Sequence, residues 1–218
     1  MLNGPQAALA RWHGQAVRVD PDYGPFVATT DQSDAAQTDL AEIVRASSHP
    51  LWLAETEAWP APAGTKCVRT APLVQMRADR VVDLAQSADD IVNLGEDDVP
   101  AMRELALATE PGPWAAKTHK YAQFFGIRDG KKLAAMAGER MRPAVGLSEV
   151  SGVCTWPEYR GQGMARRLSA HVAAQQRARG DTPFLHAYSG NKAAVGLYEN
   201  LGFDTIREMV VTVLEADG

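Results

Sequence analysis

The stretch V-S-G-V-C-T-W-P-E-Y-R-G-Q-G-M-A-R-R-L, residues 150–168, decides the fold. Val150 to Thr155 reads as a strand, and Trp156-Pro157 turns the chain out of it. Arg160-Gly161-Gln162-Gly163-Met164-Ala165 then leads into a helical pattern. A strand that ends in a glycine-rich turn and opens a helix is an anion site. The first helical N–H groups lack partners inside the helix, and the peptide dipoles add partial positive charge there. Gly161 and Gly163 let a phosphate approach the backbone, and Arg160 and Arg166 offer charge-assisted donors.

Three phosphate-binding loops compete for this reading. The Walker loop needs Gly-Lys-Ser/Thr at its end, which is absent. The dinucleotide fingerprint needs a small third residue, and Arg166 stands there instead. The loop resembles the third kind, the pyrophosphate loop of the GNAT N-acetyltransferase superfamily, Arg/Gln-x-x-Gly-x-Gly/Ala. Residues 160–165 match it at every fixed position, and Pro157-Glu158-Tyr159 precedes it as is typical. A second signature, L-Y-E-N-L-G-F at residues 197–203, falls at the usual distance downstream. The resemblance covers about residues 90–214.

What the resemblance implies is specific. The fold would be α/β: a mixed, mostly antiparallel twisted sheet with splayed central strands, flanked by helices. The splayed pair would be Leu147–Thr155 and 184–188. Acetyl-CoA would be the co-substrate, with no metal. Its pantetheine would pair with the backbone near Val153, Cys154 and Thr155, as an added strand does. Its pyrophosphate would sit on the amides of Arg160, Gly161, Gln162, Gly163, Met164, Ala165 and Arg166. Tyr198 would be the acid that protonates the leaving thiolate, and Asn191 would touch the cofactor or cap its helix. For the base, Glu149 shares side-chain parity with Ser151, Val153 and Thr155 if the strand carries no bulge; one near Gly152 would turn it away. His186 and His119 are further candidates. An acyl-enzyme on Cys154 is disfavoured, because nothing nearby activates the thiol.

The remaining chain reads in order. Residues 4–12 read as a short helix, and 17–19 and 25–29 as strands. A helix follows over 33–47, capped by Asp31 or Ser33, then a strand over 51–54. The strand at 68–76 contains Pro72, which should place it at an edge or bulge. A boundary within 79–90 separates an N-terminal α/β segment (1–89), read either as a degenerate half-copy of the same fold or as a lid or extra layer over a sheet face, from the acyltransferase domain (90–218). The acidic run 96–98 reads as a helix cap, and Trp114 as either an acceptor-pocket wall or a core plug. Residues 121–128 and 133–140 form a hairpin.

Composition sets limits. The 218 residues are 45% hydrophobic and 22% charged, with a net charge of −5. No basic face suggests nucleic acid, and no apolar run suggests a membrane. The two cysteines and the start of the chain point to a reducing cytoplasmic setting without a signal peptide. The five histidines show no metal-ligand spacing. A homodimer is compatible with the sequence. The function expected is acetyl transfer to an amine of a small molecule or peptide. The alternatives are a non-catalytic acyl-CoA-binding regulatory module, or an amino-acid N-acyltransferase similar to glycine N-acyltransferases, with Arg128 or Arg140 holding the acceptor's carboxylate.

Overall fold

The computed structural model describes residues 4–82 and 90–218. Its strands are β1 (Ala10–His13), β2 (Ala16–Val19), β3 (Phe26–Thr29), β4 (Leu51–Glu55), β5 (Thr65–Arg77), β6 (Ile91–Leu94), β7 (Phe124–Asp129), β8 (Lys132–Glu139), β9 (Leu147–Thr155), β10 (Thr182–Tyr188) and β11 (Asp204–Ala216). The helices are α1 (Asp34–Arg45), α2 (Val99–Thr109), α3 (Met164–Ala178) and α4 (Lys192–Glu199). The strands form one sheet in the order β1-β2-β3-β4-β11-β5-β10-β9-β8-β7-β6.

Local chemistry sets the helix ends. The Ser33 side chain accepts the Ala36 N–H at the start of α1, and Asn191 accepts the Ala194 N–H at the start of α4. Asp98 accepts the Gly95 N–H just before α2 and pairs with Arg128, so the acidic run is a cap. Residues 4–12 do not form the expected helix. A 3-10 turn over Ala7–Leu9 gives way at once to β1, whose backbone pairs with β2. One turn of helix leaves most of its amides unpaired, so the strand ladder wins.

The two halves of the chain interleave. A parallel pair, β3 and β4, is bridged by α1, and a second, β9 and β10, is bridged by α3. Yet β4 takes β11 as its antiparallel neighbour, and β10 takes β5. Each half thus completes its sheet with the other half's last strand, and β5 and β11 pair along their whole length. Residues 83–89 of the expected boundary lie outside the described residues. Pro72 sits where β10 runs out: β5 pairs with β10 only from Leu73 to Arg77, so the proline falls on the free-edge part of the strand.

Of the four apolar clusters among the described residues, three seat the helices on the sheet. Leu168, Val172, Leu185, Leu201 and Phe203 pack α3 and α4 onto the sheet. Leu40, Val44, Leu51, Leu53 and Leu214 do the same for α1, so its core joins residues from both halves. Met102, Leu105, Phe124, Met136 and Cys154 seat α2.

Cutting the chain to residues 90–218 removes β4 and β5, leaving β11 with no neighbour and β10 with only its three pairs to β9. That fragment is expected to aggregate and to show no cooperative melting transition. A monomeric fragment by size exclusion with a sharp melt would contradict the interleaving.

Candidate active site

The central strands part after three residue pairs. Leu147, Ser148 and Glu149 face Thr182, Pro183 and Phe184, and β9 and β10 share no pairs beyond that. From that point the β9 backbone groups on the β10 side have no strand partner. A cleft of about 1200 Å³ opens there, lined by Val153, Cys154, Thr155, Arg160, Gly161, Gly163, Met164, Ala165, Arg166, Asn191 and Tyr198, among others. Of the residues expected to bind the cofactor, only Gln162 is outside this lining; it is exposed.

The turn at the cleft's end has the expected shape. Gly161 and Gly163 have φ of 79° and 75°, in the left-handed region, and a Cβ at either would meet nothing within 4 Å. Conformation rather than space therefore requires glycine there. Gly163 caps α3 without a side chain, which leaves the N–H groups of Met164, Ala165 and Arg166 with no helical partner. Arg160 and Arg166 line the same end.

Glu149 is not where unbroken alternation puts it. The β8–β9 register shifts between Met136 and Gly138, across from Gly152, whose φ is 61°. A Cβ on Gly152 would come within 2.7 Å of the Phe124 ring. This bulge splits the parity set. Met136 and Gly138 face Cys154 and Ser151, so these two share a side although three positions apart. Val153 packs instead with Val150 under α3. Glu149 and Ser151 keep the other face, while Val153 and Thr155 leave it. Glu149 is 1% exposed and is absent from the cleft lining.

Its partners explain its state. Arg140 donates to both Glu149 carboxylate oxygens, at 3.2 and 3.3 Å, and the Met141 N–H donates at 3.2 Å. His186 Nδ1 lies 2.8 Å from Oε1. Burial pushes the Glu149 carboxyl upward, but the Arg140 charge and the hydrogen bonds from His186 and Arg140 outweigh it and hold it at about 2. An anion this firmly paired is a poor proton acceptor. The expectation of Glu149 as a water-mediated base does not fit this environment.

His186 does reach the cleft. It alternates along β10 with Leu185 and Ala187, which are in the core, so its ring turns to the cleft side. Its Nε2 meets Gln75 Nε2 of β5 at 3.0 Å. No local pattern reveals the Arg140–Glu149–His186–Gln75 chain, because Arg140 follows β8 and the other three lie on β9, β10 and β5. His119 is about one-tenth exposed, lies 3.7 Å from Glu96 and is not in the lining. Trp114 lies edge-on to Phe124 at 5.4 Å, beside Gly152, so it packs the core.

Tyr198 lines the cleft and is 9% exposed; burial pushes its phenol up to about 12. It therefore carries its proton at neutral pH. Burial likewise pushes the Cys154 thiol up to about 12, so it is no ready nucleophile. Among the described residues no group of histidine, cysteine and carboxylate side chains is arranged to hold a metal, and no helix is long and apolar enough to cross a membrane.

Comparison with known proteins agrees with this geometry. The chain is 51% identical to a crystal structure titled a putative acetyltransferase from the GNAT family, from Novosphingobium aromaticivorans. The match covers 100% of this chain and 95% of that one, with a TM-score of 0.92. The chain belongs to the GNAT family of acetyltransferases. The sequence model of the family described as FR47-like protein matches residues 124–211. A [ribosomal protein bS18]-alanine N-acetyltransferase of Escherichia coli K12 is 31% identical over 126 residues, covering 54% of this chain and 83% of the relative. A GCN5-related N-acetyltransferase from Kribbella flavida, 18% identical with a TM-score of 0.63, shares the fold over 96% of this chain. As a GNAT protein the chain is an N-acetyltransferase, with the mixed, mostly antiparallel sheet expected of it.

Because the folded pKa of Glu149 lies below the ordinary 4.5, its stabilisation is complete above that value and is lost as pH falls through about 2. Glu149→Gln is expected to cost about 3 kcal/mol at pH 7, with the gap to the native chain narrowing as pH drops from about 5 towards 2. Urea melts at stepped pH check this; a gap that does not change with pH would refute the ionised pair.

Proposed function

We propose that this chain transfers an acetyl group from acetyl-CoA directly to an amine held on the far side of the same cleft. The observation that carries the reading is the coincidence in one cavity of three things: the left-handed glycine turn with its free amides, the unpaired edge of β9, and a protonated tyrosine. The diphosphate would rest on the amides of residues 161–166, where anions are favoured. The pantetheine would add to β9 at Val153–Thr155, as strands add to edges. Both halves of the chain line the cleft, so amine and thioester would be held together and the encounter made local.

We assign the proton work to two residues. His186 takes the proton that the amine must lose, on the nitrogen now facing Gln75. Glu149 is a positioning residue that holds the other ring nitrogen. The amine nitrogen then bonds to the thioester carbon and the C–S bond breaks. Tyr198 gives its proton to the departing sulfur. An unpaired β9 N–H is suited to the oxyanion of the intermediate. Asn191 spends its side-chain oxygen on capping α4, so its cofactor contact would come from elsewhere on the residue.

The 1–89 segment is best read as a half-copy that has lost its phosphate turn. Its β3-to-α1 connection is Thr30-Asp31-Gln32-Ser33, acidic and without glycine, so we expect one cofactor per chain. We place the enzyme in the cytoplasm, where acetyl-CoA and free thiols coexist. Amino-acid acylation loses its support. Arg128 pairs with Asp98 away from the cleft, and Arg140 is committed to Glu149.

Thiol release from acetyl-CoA, screened against amino acids, polyamines, aminoglycosides and peptides, tests the reading. Release that requires an amine supports it; binding of acetyl-CoA with no transfer to any amine sinks it. Tyr198→Phe is expected to lower kcat about a hundredfold and leave the acetyl-CoA KM within about twofold, as loss of a general acid does. Unchanged kcat would remove Tyr198 from the role.

A further inference from the structure

The acceptor side of the cleft is built largely by the N-terminal half, and its chemistry is distinct from that of the cofactor side. Trp52 and Ala54 alternate along β4 with Leu51 and Leu53, which pack under α1, so they face the cleft. Leu73 of β5 and Phe26 of β3 join them, with Tyr188 at the end of β10. Three partly exposed rings, Trp52, Phe26 and Tyr188, therefore form one wall. The opposite wall is the segment after α2, Glu110-Pro111-Gly112-Pro113. This segment is tied to the N-terminal half: the Lys117 N–H donates to the Asp22 carbonyl at 2.6 Å, and the Thr118 hydroxyl to the Tyr23 carbonyl at 3.0 Å. Tyr121 meets Tyr23 edge-on at 5.2 Å. The gap between the walls is thus fixed on both sides.

The charges in this lobe decide what fits. Four cationic side chains line the whole cleft: Arg140, Arg160, Arg166 and Lys192. The last three stand on the glycine turn and the starts of α3 and α4, at the cofactor end. Arg140 is neutralised by Glu149, and its guanidinium covers the Phe26 ring at 4.9 Å. Arg69 stacks on Tyr188 at 5.3 Å but is not part of the lining. Glu110 is exposed, lines the cleft, and among the described residues has no ion-pair partner. It also has φ 47° and ψ 55°, the one positive-φ non-glycine residue described. Helix ends usually place glycine or asparagine in that conformation. A strained residue at a cleft is a pointer to function, and here the strained residue is an acidic one in the cleft lining.

An uncompensated negative charge facing an aromatic wall favours a cation with an apolar body and repels a carboxylate. We propose that the acceptor is a small arylalkylamine, a primary amine carried on an aromatic or large apolar group, with no carboxylate beside it. The ring would lie against Trp52, Phe26 and Leu73. The ammonium would be drawn in past Glu110 and lose its proton at His186. This rests on the transfer reading above and goes further by naming the substrate class.

The test compares 2-phenylethylamine, phenylalanine, phenylalanine amide, spermidine and an alanine-initiated peptide as acceptors, with saturating acetyl-CoA. The kcat/KM for 2-phenylethylamine should exceed that for phenylalanine about tenfold or more, with the amide in between. Trp52→Ala should raise the amine KM about tenfold. Glu110→Gln should lower the preference for 2-phenylethylamine over phenylalanine, most at low ionic strength. Calorimetric binding of acetyl-CoA, unchanged in both variants, confirms that they fold. If spermidine, the peptide or phenylalanine is acetylated at least as well as 2-phenylethylamine, the inference is wrong and the transfer reading stands. The same holds if Trp52→Ala binds acetyl-CoA normally and keeps its amine KM. If acetyl-CoA binds and no amine is acetylated, both fall.

Discussion

β9 and β10 run side by side for three pairs and then separate, and the rest of the structure depends on that separation staying open. Parallel strands normally continue their ladder, since unpaired backbone groups away from water are costly. Here the fork is held from both sides. Glu149, at the last pair, is sealed in the interior and bound to Arg140 and His186. Just beyond it the bulge at Gly152 twists β9 away, with Phe124 packed where a side chain would have to go. The free edge that results is what a pantetheine chain can use, and the glycine turn beyond it offers amides to a diphosphate.

A second constraint comes from the interleaved halves. Because β5 lies between β10 and β11, Gln75 can meet His186, and Leu73 can face the cleft. The N-terminal half is therefore part of the sheet that forms the site. The loop after α2 is fastened to residues 22–23, which closes the lobe opposite the glycine turn. The cleft has two ends of opposite character, one rich in amides and cations, the other aromatic with a lone carboxylate. That asymmetry follows from which half supplies which wall.

Much of this was legible in the sequence. The strand, glycine turn and helix at 150–168, the caps at Ser33 and Asn191 and the hairpin around Asp129-Gly130 are all local, fixed by residues within a few positions of one another. Apart from the helix expected over 4–12, where the short ladder with β2 won, the failures were non-local. Side-chain parity on β9 could not be followed past Gly152, because the bulge depends on pairing with β8. The partners of Glu149 come from 9 and 37 positions away, and nothing in the periodicity names them. Trp114 packs on Phe124 because the loop bearing it folds inward beside the bulge. The exchange of β5 and β11 is a property of the whole sheet, invisible to a reading that takes each segment in turn.

The proposed transfer requires that backbone amides at the glycine turn hold a diphosphate and so bring a thioester into the fork. The most direct measurement is isothermal titration of the intact chain with coenzyme A and, separately, with pantetheine, which lacks the diphosphate. One coenzyme A per chain is expected, with pantetheine binding weaker by about a hundredfold or more, since several charge-assisted hydrogen bonds are lost. Equal affinity for the two, or no heat with coenzyme A, would contradict it.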